Sequence, residues 1–111
     1  MSKKKLSDIY CQKVLTKKIS IKIVFESEDV LAYYHTNPNW PVHIVVIPKK
    51  HIDSLETLDI NDPSTSELIK IVQEVAKKIK REHGACRVIT NLGEYQDSKH
   101  LHFHVVYGTP I

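Results

Sequence analysis

The chain has 111 residues, enough for one domain and too short for two. Hydrophobic residues make up 41% and charged residues 26%, a globular balance that excludes a disordered chain. The formal charge of +3 suits a small anionic substrate, but the excess is slight and its run Lys3, Lys4, Lys5 lacks interleaved aromatics, so no nucleic-acid partner is expected.

Cys11 and Cys86 are the two cysteines, which excludes a dense disulfide framework. No apolar run reaches membrane-spanning length, and no signal-peptide core follows the basic start. A cytoplasmic protein with no membrane contact is expected.

Residues 1–6 read as a disordered basic N-terminus and residues 7–111 as one domain. Ile9, Tyr10, Val14 and Leu15 predict a short amphipathic helix over residues 7–19. "IKIVFES" and "DVLAYYH" are rich in β-branched and aromatic residues, and the short polar turn between them makes a hairpin. "TNPNWP", residues 36–41, is a loop. "HIVVIPKKH" is a third strand, and its continuous apolar run over residues 44–47 predicts burial on both faces, with Pro48 ending it.

A long helix follows. Asp62 and Pro63 suit its start, and Ser64 with Glu67 offers an alternative capping box. Leu68, Ile71, Val72, Val75, Ala76 and Ile79 fall on one face, and Gly84 supplies the stop. Residues 85–91 form a fourth strand, residues 92–99 a polar loop, and "HLHFHVVY" a fifth strand. The fold class is α+β, with one long helix and a short N-terminal helix against a mostly antiparallel sheet of five strands.

The last strand poses the functional question. Side chains alternate faces along a strand, so His100, His102 and His104 should point one way, spaced by about 7 Å, with Leu101, Phe103 and Val105 facing the core. Burying three imidazoles in a row demands partners for every ring nitrogen, which an ordinary core has no need of. Three uses fit: ligation of a metal such as zinc, anion binding, or attack by an imidazole on an electrophilic phosphorus.

Histidine–apolar–histidine–apolar–histidine–apolar–apolar resembles the signature of the histidine triad (HIT) family of nucleotide hydrolases and transferases. "NLGEYQDSKH" is similar to the loop that enters the triad in that family. "PVHIVVIPKKHI" is similar to its strand P-x-H-x-x-V-I-P-K-x-H. The resemblance spans residues 7–108 and is closest to the Hint-like branch.

The resemblance implies that His102 is the nucleophile, attacking the α-phosphate of a purine nucleotide to form a nucleotidyl-histidine that water cleaves. Phosphoramidates of AMP or GMP are the implied substrates, and no cofactor is called for. His104 and Asn91 would contact the phosphate. The His100 carbonyl would accept the other N–H of His102, and His43 would border the site. Gln96 is retained in the triad loop. Tyr33, with Ile23, would line the base pocket. A homodimer is implied as well.

The chain also departs from the pattern. Asp97 stands where the family has serine, with Ser98 beside it. His35 stands where the family has an acidic residue that binds both ribose hydroxyls. These two departures leave open a catalytically weak nucleotide-binding protein that acts through a partner or ligand. Asp8, Cys11, His51 and His100 correspond to the zinc ligands of some members, with one cysteine replaced by aspartate, so a zinc protein is also open. Trp40 could cover the site or pack in an interface.

Overall fold

Residues 21–111 are described by a computed structural model; the helix expected over residues 7–19 and the basic residues 1–6 lie outside them. The β-branched runs form the strands. β1 (Lys22–Glu26) and β2 (Val30–Tyr34) make the expected hairpin, followed by β3 (Val42–Pro48), β4 (Arg87–Ile89) and β5 (Phe103–Tyr107). The sheet runs β1-β2-β3-β5-β4 in space, and every pairing is antiparallel.

The last two strands are shorter than expected. β4 covers three residues of the seven foreseen, and β5 begins at Phe103 rather than His100. The β3–β5 ladder closes at Val46–Phe103, so His100, Leu101 and His102 lead into β5 without ladder pairing.

The helix α1 (Pro63–His83) starts on the first of the two caps considered. The Asp62 carboxylate accepts from the Ser64 N–H at 2.9 Å, and Pro63 needs no donor in the first turn. Lys50 pairs with the same Asp62, tying the chain after β3 to the helix start. Gly84 ends the helix at φ 94°, a left-handed conformation that glycine adopts without strain.

The alternation of β2, β3 and β5 divides the sheet into two faces. Val30, Ala32, Ile44, Val46, Leu101, Phe103 and Val105 pack under α1 against Leu68, Ile71, Val72, Val75 and Ile79. Leu31, Tyr33, Val45 and Ile47 form a second apolar cluster on the far face. The run of residues 44–47 is therefore buried on both sides. The burial of Leu68 in the second turn of α1 predicts that Leu68→Ala costs about 2–5 kcal/mol, read as a lowered urea midpoint at unchanged slope. A loss under about 1 kcal/mol would show that α1 does not close the core.

Candidate active site

The far face, opposite α1, carries the histidines. His35 continues β2 on the Tyr33 side, and its N–H bonds the His43 carbonyl at 2.9 Å. His43 lies in β3 and His104 in β5, opposite Val106 and Val45 respectively. The ring centroids are 4.4 Å apart for His35–His43, 4.9 Å for His43–His104 and 4.6 Å for His102–His104. Four imidazoles thus adjoin one another, two from strands β3 and β5, one from the residue after β2 and one from the residue before β5.

The expected row of three is broken at His100. Its ring is fully buried and its Nε2–H donates to the Pro48 carbonyl at 2.7 Å, away from the cluster. Its main-chain carbonyl does reach the site, accepting from the His102 Nδ1–H at 2.9 Å. That bond assigns the tautomer of His102, since a carbonyl only accepts. The proton sits on Nδ1 and the nucleophilic lone pair on Nε2. The Thr90 hydroxyl donates to the His102 carbonyl at 2.8 Å, holding the same residue from β4's side. Thr90 was not foreseen, because the contact depends on which residue β4 brings across from β5.

The neighbouring rings are assigned in the same way. The Asn37 N–H donates to His35 Nδ1 at 2.9 Å, and the Asn39 N–H to His43 Nδ1 at 3.1 Å. Both rings therefore carry their proton on Nε2. His43 Nε2–H then donates to His104 Nδ1 at 2.7 Å, which leaves the His104 proton on Nε2. Trp40 meets the His43 ring edge-on, 5.2 Å away at 84°.

Burial disfavours the cationic form of every ring in the cluster. It pushes His104 down to about 3, with further repulsion from His102, His43 and His35. His43 is pushed down to about 4 by burial, then by His35 and His102. His35 is lowered by burial and by His102. His102 is lowered by burial, partly offset by its bond to the His100 carbonyl and by the Asp97 carboxylate. All four are neutral near pH 7.

Other expected residues take different places. Tyr33 is 1% exposed and packs in the second apolar cluster; Ile23 is exposed on β1. Asn91 follows β4, half-buried. Gln96 is buried, and its amide donates to the Asp53 carbonyl at 2.6 Å, bracing the triad loop against the chain after β3. Asp97 is exposed, while Ser98 is buried with its hydroxyl unpartnered among the described residues.

Two metal readings can be tested on these bonds. The ring nitrogens of His35, His43 and His104 lie within 4.8 Å of one another. Backbone N–H groups occupy Nδ1 of the first two, and the third accepts from His43, so a cation would have to displace all three bonds. These residues fit a donor surface for an anion better than a metal shell. Of the four candidate zinc ligands, His51 and His100 adjoin at 5.2 Å between rings, with His51 Nε2 2.7 Å from Asp53. Asp8 and Cys11 lie outside the described residues.

A far-face imidazole cluster on a five-stranded antiparallel sheet, with one ring oriented by a carbonyl two residues back, defines a histidine-triad protein. The HIT domain model matches residues 16–110, and the chain belongs to that family. It is 33% identical to protein HitA of Neisseria gonorrhoeae over 105 residues, 93% of this chain and 96% of that protein. It is 31% identical over 100 residues to an uncharacterised HIT-like protein of Buchnera aphidicola, covering 87% of this chain and 89% of the other. Among solved structures it is similar to a histidine triad protein from Clostridium difficile, with a TM-score of 0.76, 34% identity, and 94% and 92% of the two chains covered. A HIT family hydrolase from Legionella pneumophila superposes with a TM-score of 0.75 at 27% identity, over 92% of this chain and 93% of that one. None of these matches distinguishes the Hint-like branch. Among the described residues, no helix is long and apolar enough to cross a membrane.

Proposed function

We propose that this chain is a nucleotidyl hydrolase or transferase that cleaves at the α-phosphate of a purine nucleotide, such as a nucleoside 5′-phosphoramidate. The observation that carries this reading is the His102 Nδ1–H bond to the His100 carbonyl. It turns the basic lone pair to Nε2, and burial keeps the ring neutral. The Nε2 lone pair forms the bond to phosphorus and the P–N bond to the leaving amine breaks. The amine departs after taking a proton from solvent. The ring bonded at both nitrogens is cationic, and the His100 carbonyl stabilises it. Water then attacks phosphorus, loses a proton to solvent and returns His102 neutral, releasing the nucleoside monophosphate. His104 Nε2–H, with Asn91, supplies donors for the phosphate oxygens. The same reading includes a homodimer, for which β4 offers an open sheet edge with Val88 and Leu92 exposed.

Incubation with adenosine 5′-phosphoramidate should release AMP, and rapid acid-free quenching should trap an adenylyl group on the peptide containing His102, read by mass spectrometry. Trapping on another residue would overturn the assignment. A second reading, nucleotide binding with weak catalysis, is favoured by Asp97, whose carboxylate acts on His102 where the family has serine. It predicts AMP binding by calorimetry with neither adduct nor release.

A further inference from the structure

Ile111 reaches the imidazole cluster through the backbone of one loop residue, Asn39. The Ile111 N–H donates to the Asn39 carbonyl at 2.8 Å, and the Asn39 N–H donates to His43 Nδ1 at 3.1 Å. His43 Nε2–H passes the assignment to His104 Nδ1 at 2.7 Å. The Asn39 carbonyl and N–H belong to different peptide groups, so Ile111 acts on His104 by holding the Asn39 backbone, and with it the donor to His43, in place. The approach of the tail depends on Gly108. Its φ is 100°, a left-handed conformation, and a Cβ there would lie 2.8 Å from Pro41 Cγ. Only a residue without a side chain lets residues 108–111 lie against the loop at Pro41. Trp40, edge-on to His43, holds the ring from the same loop.

We propose that residues 108–111 and the Asn39 backbone form a tautomer clamp, in which Ile111 and Gly108 are positioning residues that hold His104 as an Nε2–H donor. The alternative tautomer of His104 would carry a lone pair on Nε2. Opposite a phosphate oxygen, a lone pair repels where an N–H attracts. The clamp thereby separates the roles of two adjoining imidazoles. His102 holds its lone pair on Nε2 because a carbonyl faces its Nδ1. His104 holds its proton on Nε2 because a backbone N–H, relayed through His43, ultimately faces its Nδ1 side. The catalytic consequence rests on the proposed chemistry at His102; the tautomers do not.

The test uses the full chain at neutral pH. Nitrogen-15 NMR of the histidine rings should show unprotonated Nδ1 and protonated Nε2 for both His43 and His104. Ile111→Pro removes the donor, and Gly108→Ala pushes the tail off Pro41. Each should average the two nitrogen signals of His104 and lower kcat for the phosphoramidate by about tenfold, and Ile111→Pro should do so with the thermal midpoint nearly unchanged. A wild-type His104 protonated on Nδ1 overturns the clamp, as do both variants retaining the wild-type ring signals. Wild-type protein with the stated tautomers but no turnover supports the clamp and overturns the catalytic reading instead.

Discussion

His102→Ala should abolish phosphoramidate turnover, lowering kcat/KM by roughly a thousandfold or more, because no other ring in the cluster can replace it. His35 and His43 have their Nδ1 lone pairs engaged by loop N–H groups, and His104 accepts from His43. Rotating any of them into service would break a hydrogen bond, a buried one for His43 and His104, as well as misplace the nucleophile. Binding should survive the substitution, since the donor surface of His104 and Asn91 is left in place. A nucleoside monophosphate should therefore bind the variant with nearly the wild-type Kd. The adenylyl adduct should vanish along with turnover. A variant that still released AMP at more than about a tenth of the wild-type rate would remove His102 from the reaction.

Lowering the pH should unfold this protein through the same cluster. His43 and His104 are held at about 4 and about 3, against 6.5 for an ordinary imidazole. Between these values the folded rings stay neutral while those of the unfolded chain take up protons. The unfolded state then binds more protons, so stability falls as pH falls. The stabilisation is fully present above pH 6.5. It is lost progressively below, at a limiting slope of about 1.4 kcal/mol per pH unit for each ring, until the pH passes the folded values. Urea midpoints measured from pH 7.5 down to about 4 should follow this decline. His104→Asn keeps an acceptor for His43 but removes one titrating ring, so its midpoint should fall less steeply over the same range. Equal slopes in the two proteins would mean that His104 is not buried as a neutral ring.

Much of this architecture can be read from local pattern. The alternation in β2 and β3, the face of α1 and the glycine stop at its end are written in neighbouring residues. Each depends on periods of 2 or 3.6 that a chain cannot evade once it is hydrogen-bonded. The far-face position of His102 and His104 follows from the same alternation, as does the core position of Leu101, Phe103 and Val105. Against the family pattern, His35 and Asp97 stand out in the sequence itself.

What those patterns leave open is where each imidazole points its proton. His100 has the right spacing to join the row, but Pro48, 52 residues away, captures its ring. His35 looks like a substitution at a sugar contact, but stacks on His43 and completes the cluster. The resemblance puts Tyr33 at the base pocket, and the fold packs it in the second apolar cluster, while Gln96 spends its amide on Asp53. Residue spacing sets the face of a strand through covalent geometry alone. The direction of a lone pair is set by whichever donor or acceptor the folded chain brings opposite it, and for His104 that partner comes from a residue 61 positions earlier.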